Sequence, residues 1–472
     1  MSEITSLTLT QTLAVLDEKK FSKEELNKAY LEKIFKLNAK LNAYLLVNEK
    51  SDGIPAAIKD IIITKGIRTT AGSKILQNFV PPYNATVIDR LAEHGVSVLG
   101  KANMDEFAMG SSGENSAYGS TKNPWDFNKV PGGSSSGSAV AVSADMATFA
   151  LGTDTGGSIR QPASLCGIVG LKPSYGRVSR YGAIAMASSL DQIGPITKSV
   201  ADARLVLSWI AGPDGMDSNC LPSDHTPGVS SQAKQRLHLF ESELPKLFPQ
   251  SRRPGGGLKG TRVGIPKEYF GKGLDSGVEK VIKEAIKKLE ELGAEIVEVS
   301  LPHTEYGVAV YYIVMSSEVS ANLARFDGIR FGFSREKFGD EPKRRIMLGT
   351  YSLSSGYYDA YFKKAAQVRT LIKHDFEEAF KKCDVIVGPV SPTTAWNLGE
   401  KVADPLTMYL SDAYTIPASL AGIPGLSVPC GFINGLPVGL QILGKYMGDE
   451  TILNVGEVYE DATDWHEEKP KL

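Results

Sequence analysis

Apolar residues return at helical spacing after the Ser22-Lys-Glu-Glu25 capping box, where Leu26, Tyr30, Ile34 and Leu37 share one face. The spacing predicts an amphipathic helix over 22–38, and the run 41–47 then reads as a strand. Residues 86–94 read as a helix stopped by Gly95, with a strand over 96–99. The same unit recurs in the glycine-rich middle, with a helix over 138–144 and a buried strand over 147–151. Farther on, a strand over 262–266 precedes a helix over 277–292, with Val278, Ile282, Ile286 and Leu289 on one face, and a strand over 294–299. Helix and strand in alternation predict an α/β chain built on one large mixed sheet covered by helices.

The stretch 213–257 breaks this rhythm by gathering Pro, Ser and Gly and ending in Arg252-Arg-Pro-Gly-Gly-Gly257. It reads as a surface excursion with flexible ends and a short amphipathic helix over 232–247. One domain over 1–472 is therefore expected, with helices over about 1–50 and a core over about 51–212 and 258–460. A net charge of −2 over 472 residues, with both signs interspersed, excludes the basic stripe of a chain that holds nucleic acid alone. Four cysteines, far apart and without a C-x-x-C pair, fit a reduced cytoplasmic chain. Neither a secretory leader nor an uninterrupted apolar run of about 18 residues is present, so no membrane span is expected.

Candidate chemistry lies in two serine-bearing glycine turns, Pro131-Gly-Gly-Ser134-Ser-Ser-Gly-Ser138 and Gly152-Thr-Asp-Thr-Gly-Gly-Ser158-Ile-Arg160. Glycine lets consecutive backbone N–H groups converge, which is how an oxyanion site is built beside a nucleophile. Alone, Gly-Gly-Ser fits a capping serine or an anion cradle as well, although the G-x-x-x-x-G-K-[ST] phosphate loop is absent. A nucleophilic serine needs a base. His94, His225, His238, His303, His374 and His466 all lie outside the turns, and G-x-S-x-G is missing, so a Ser-His-Asp triad is poorly supported. Lys59, in the apolar run Gly53-Ile-Pro-Ala-Ala-Ile-Lys59-Asp60-Ile-Ile-Ile63, must either snorkel or be partnered, and burial would make it a neutral base.

Lys59, Ser134 and Ser158, with the run Asp154-Thr-Gly-Gly-Ser-Ile-Arg160-Gln-Pro-Ala-Ser, resemble the amidase signature family. The resemblance implies a large mixed central sheet covered on both faces by helices. It also implies a Ser-cis-Ser-Lys device, with Ser158 the acyl-forming nucleophile, Ser134 the bridging serine, Lys59 the base, and the amides of Thr155, Gly156, Gly157 and Ser158 the oxyanion donors. Cys166 is then expected to be a buried, inert thiol rather than a nucleophile.

Further passages, Asn103-Met-Asp-Glu-Phe-Ala-Met109, Arg344-Arg-Ile-Met-Leu-Gly-Thr-Tyr351, Gly356-Tyr-Tyr-Asp-Ala-Tyr361 and Asp404-Pro-Leu-Thr-Met-Tyr409-Leu-Ser-Asp412, resemble the branch of the family that hydrolyses glutamine for tRNA-dependent amidotransferases. This implies glutamine held by Arg345 at its α-carboxylate and Asp412 at its α-ammonium, with Tyr311 lining the pocket and Arg344 the neighbouring alternative to Arg345. It further implies a heterotrimer with subunits B and C, tRNA held mainly by B, ATP and Mg on that partner, ammonia passed to it, and no cofactor or metal in this chain. The acceptor would be Glu-tRNA(Gln) or Asp-tRNA(Asn). A stand-alone amidase on another carboxamide and a catalytically silent scaffold are the competing readings. Three departures stand out: Gly113 where that branch usually carries threonine, a long 213–257 stretch, and a short segment after Phe333.

Overall fold

The computed structural model describes residues 2–221, 257–328 and 333–472. The helix expected over 232–247, His225 and His238 lie outside the described residues, as does most of the 213–257 stretch.

Eleven strands form one sheet: β1 (Tyr44–Val47), β2 (Ile54–Lys59), β3 (Val96–Ala102), β4 (Phe149–Asp154), β5 (Val169–Lys172), β6 (Gln192–Thr197), β7 (Arg262–Pro266), β8 (Glu295–Val299), β9 (Val385–Pro389), β10 (Gly425–Ile433) and β11 (Leu436–Gly444). Their order is β1-β3-β2-β4-β6-β5-β10-β11-β9-β7-β8. The sheet is mixed. β3, β2 and β4 run parallel, as do β9, β7 and β8, while the strands from β4 through β6, β5, β10 and β11 to β9 pair antiparallel.

Both faces are covered, which follows from the period of two along a strand. In β2, Ile54, Ala56 and Ile58 join one apolar cluster and Ala57 joins the other. In β4, Phe149 and Leu151 divide from Ala150 in the same way. The smaller cluster packs Leu26, Tyr30, Ile34 and Leu37 of helix Lys23–Leu41 against Ala139, Val140 and Val142 of helix Ser136–Ser143. No helix among the described residues is long and apolar enough to cross a membrane.

The capping box at Ser22 forms as expected, with Glu25 donating its amide to the serine hydroxyl and Ser22 N–H donating to the Glu25 carboxylate. The helix runs to Leu41, and the strand expected from residue 41 begins only at Tyr44. Asn42 is the reason: at φ +50° it takes the left-handed C-cap conformation, and its side chain donates to carbonyls of the 118–120 turn. In the middle, the helix starts two residues early at Ser136, and the strand expected over 147–151 is shifted to Phe149–Asp154.

Register sets the chemistry. β2 and β4 are parallel neighbours with Ile58 opposite Leu151, so Lys59 and the 152–160 turn emerge side by side at the carboxyl ends of adjacent strands. Open α/β sheets place their ligands at such ends.

Candidate active site

Lys59 ends β2 fully buried, and its Nζ lies 2.7 Å from Ser134 Oγ, 2.8 Å from Thr153 Oγ1 and 3.3 Å from the Thr153 carbonyl. Among the described residues, no carboxylate touches the amine. Burial pulls its pKa down to about 7, while the more distant charges of Asp105, Asp154 and Asp191 oppose that fall. Snorkelling is thereby excluded, and the amine is partly neutral near pH 7.

Ser134 opens the first glycine turn through a cis Gly133–Ser134 peptide bond. Gln161 holds this turn in place: its Oε1 accepts from Gly133 N at 2.9 Å, its Nε2 donates to Ser111 O, and its own amide donates to Gly157 O at 2.8 Å. One residue thus ties the two turns together, by its side chain to the first and its backbone amide to the second. Ser135 N donates to Ser158 O at 3.2 Å and adds a second tie.

The second turn is gripped at several points. Arg160, fully buried, makes a forked ion pair with Asp154 at 3.0 Å to each oxygen and reaches Thr415 O, Gln441 and Ser419. Thr415 Oγ1 donates to Gly156 O at 2.6 Å. Gly157, at φ +146°, has its missing Cβ position 2.3 Å from Thr415 Oγ1, so only glycine fits. The amides of Gly156, Gly157 and Ser158 donate to no other described residue and remain available to an oxyanion. Ser158 keeps 9% of its surface and its Oγ is bonded to no other described residue, including Ser134.

Tyr311, Asp412 and Arg345 lie beside this turn, close enough to feel one another's charge. Tyr311 packs on the turn, its hydroxyl 2.8 Å from where a Gly156 Cβ would stand. Asp412 is buried and accepts a hydrogen bond from Ser111 Oγ; burial lifts its pKa to about 7, against the pull of Ser111 and Arg345. Arg345 is 3% exposed, donates to Glu341 at 2.7 Å, and lies 5.1 Å from the ring centre of Tyr312 and 5.7 Å from that of Tyr409. Arg344 points outward, with 42% of its side chain exposed. Only Arg345 faces the interior.

Sequence reasoning missed Thr153, Gln161, Asp191, Glu341, Tyr312, Tyr409 and Thr415, which hold the expected residues in position. Asp154, Arg160 and Asp105 sat inside quoted motifs without a role. Asp105 accepts from the amides of Gly113 and Asn115, and a Cβ on Gly113 would lie 2.6 Å from Ser136 Cβ. Glycine at 113, at φ +81°, suits this backbone where a threonine would not. Cys166 is fully buried, donates its Sγ to Pro131 O, and burial pushes its thiol pKa up. None of the described histidines contacts the turns: His94 stacks on Trp209, His303 pairs with Asp375, and His374 lies near Glu377 and Glu378.

The amidase family profile matches residues 12–453. The chain is 51% identical to the glutamyl-tRNA(Gln) amidotransferase A subunit of Thermoanaerobacter pseudethanolicus, over 98% of this chain and 97% of that one. Among solved structures, the glutamyl-tRNA(Gln) amidotransferase A subunit of Thermotoga maritima superposes with a TM-score of 0.82 at 44% identity, over 97% of this chain and 95% of that one. A peptide amidase bound to a competitive inhibitor superposes with the same TM-score at 29% identity, over 98% and 99% of the two chains. The chain belongs to the amidase family, in its group of glutamyl-tRNA(Gln) amidotransferase A subunits.

Proposed function

We propose that this chain hydrolyses glutamine through an acyl-serine and supplies the ammonia to a partner subunit, which amidates Glu-tRNA(Gln) or Asp-tRNA(Asn) with ATP. The observation that carries the reading is a lysine without a carboxylate partner, buried 2.7 Å from Ser134 Oγ at the end of a strand whose neighbour delivers Ser158.

Neutral Lys59 takes the proton of Ser134 as Ser134 takes that of Ser158, whose oxygen attacks the side-chain carboxamide carbon of glutamine. The amides of Thr155 to Ser158 receive the developing negative oxygen. Collapse breaks the C–N bond; the proton returns through Ser134 to the departing nitrogen, and ammonia leaves. Water then attacks the ester, gives its proton to the same relay, and releases glutamate with Ser158 restored. These steps use only side chains and amides of this chain. ATP and Mg belong to the activation of the acceptor carboxylate on the partner. Among the described residues, no three His, Cys, Asp or Glu are grouped to hold a metal ion.

Substrate choice rests on two opposite charges, those of Arg345 and Asp412. Arg345, oriented by Glu341 and the two tyrosine rings, meets the α-carboxylate, and Asp412 meets the α-ammonium. Arg345→Ala raises KM for glutamine roughly 10–100-fold, the size of a lost charge-assisted hydrogen bond, with a smaller change in kcat, measured by steady-state ammonia release. Asp412 is ionised only above about 7. KM for glutamine therefore rises as pH falls below that value, and the dependence disappears in Asp412→Asn.

Assembly is supported by the outer face of helix Asp340–Ser352. Met347, Leu348 and Tyr351 stand exposed there, beside exposed Tyr357 and Tyr361, whose rings lie 4.2 Å and 6.0 Å from that of Tyr351. A contiguous apolar face of this kind marks a contact surface.

The testing experiment measures ammonia from glutamine and from simple aryl amides, for the chain alone and with B and C subunits, ATP and Glu-tRNA. Glutamine hydrolysis in the assembled state is expected. Hydrolysis of aryl amides with none of glutamine in any state would give the stand-alone amidase reading instead.

A further inference from the structure

The 186–191 segment, which no motif singled out, meets the oxyanion turn at Thr155. Asp191 directly precedes β6, and β6 pairs antiparallel with β4 so that Gln192 lies opposite Asp154. This register places the Asp191 carboxylate beside Thr155. Its Oδ1 accepts from Thr155 Oγ1 at 2.8 Å and from Ala187 N at 3.1 Å; its Oδ2 accepts from Met186 N at 2.9 Å and Ala187 N at 3.0 Å. Each hydrogen-bond partner of the carboxylate is thus a donor, while the more distant Glu318 carboxylate repels it.

The 186–189 backbone is itself anchored. Asn322 donates to Met186 O, Glu318 accepts from the amide and hydroxyl of Ser189, and Arg369 donates to the hydroxyl and carbonyl of Ser189. The carboxylate therefore has a rigid seat outside the turn.

We propose that Asp191 is the positioning residue of the oxyanion turn, holding Thr155 by its hydroxyl so that the amides from Thr155 to Ser158 are aimed before substrate arrives. Among the described residues nothing else bonds the Thr155 side chain: Thr415 holds the Gly156 carbonyl, and Arg160 holds Asp154. Asparagine replaces the carboxylate poorly: an NH2 group at the Oδ2 position faces the N–H groups of Met186 and Ala187, and at the Oδ1 position it reaches the Thr155 hydroxyl only by crowding the Ala187 N–H. The inference rests on Ser158 being the nucleophile. An aim that matters only once the carbonyl oxygen is charged changes kcat and leaves substrate affinity alone.

The test is steady-state ammonia release from glutamine by the enzyme assembled with its partner subunits, for Asp191→Asn, Thr155→Val, their combination, and Thr155→Ser. Ser158→Ala serves as the control for the underlying reading: its retention of activity would remove the nucleophile and overturn the proposal with it, whereas its loss alongside an unaffected Asp191→Asn would overturn the proposal alone. Asp191→Asn and Thr155→Val are each expected to lower kcat about 10²-fold, the size of a lost oxyanion donor, with KM within about threefold. The combination should be no worse than the more severe single change, because both cut one link. Thr155→Ser, which keeps the hydroxyl, should lose far less than Thr155→Val. If Asp191→Asn is insoluble, Thr155→Val against Thr155→Ser decides alone. Unchanged kcat in Thr155→Val, a loss confined to KM, equal losses in Thr155→Val and Thr155→Ser, or multiplying losses in the double variant would each overturn the proposal.

Discussion

Ser158→Ala is expected to lower kcat for glutamine hydrolysis on the order of 10⁴-fold or more, leaving only what positioning and the oxyanion turn provide. The size follows from the absence of a substitute. Ser134 is fully buried and bonded to Lys59, and Cys166 is sealed behind Pro131 with its thiol pKa pushed up. KM should change little if, as proposed, Arg345 and Asp412 rather than the hydroxyl hold the ends of the substrate. Adding Lys59→Ala to Ser158→Ala should cost nothing further, since the two act as one unit.

Lys59→Ala comes second, with an expected loss in kcat of about 10²–10⁴-fold, the range of a general base. Its pH signature is specific. The pKa of Lys59 is lowered from 10.5 to about 7, and the neutral amine is the working form, so kcat rises with pH and levels off above about 7. The sign for stability is the reverse of the usual ion-paired lysine. Between 7 and 10.5 the unfolded chain binds the proton that the folded chain has released, so burial of this amine opposes folding there, and the cost fades as pH rises. Lys59→Met, which fills the same space without the charge, should therefore raise Tm near pH 7 while abolishing the pH-dependent rate. Thermal unfolding of the two proteins across pH checks this.

The α/β rhythm was legible because periodic segments such as Leu26–Leu37 and Val278–Leu289 are long and strongly patterned. Boundaries were less so: nothing in 38–44 announced that Asn42 would take the left-handed conformation and hold the 118–120 turn. Lys59, Ser134 and Ser158 could be singled out because each sits in a local pattern that is costly without a reason, a lysine among isoleucines and serines among glycines. Arg345 could be separated from Arg344 only by burial, which depends on the packing of helices distant in sequence. The same holds for Thr415, Asp191 and Glu341. Each is an ordinary polar residue in its own segment and gains meaning from a partner supplied by another part of the chain.

The most direct test of the account is acid quenching of the assembled enzyme during turnover of glutamine, followed by mass spectrometry of its peptides. The account predicts a γ-glutamyl adduct on the hydroxyl of Ser158, present in the parent and absent from Ser158→Ala. An adduct on Cys166, or ammonia release at the parent rate by Ser158→Ala, would contradict it.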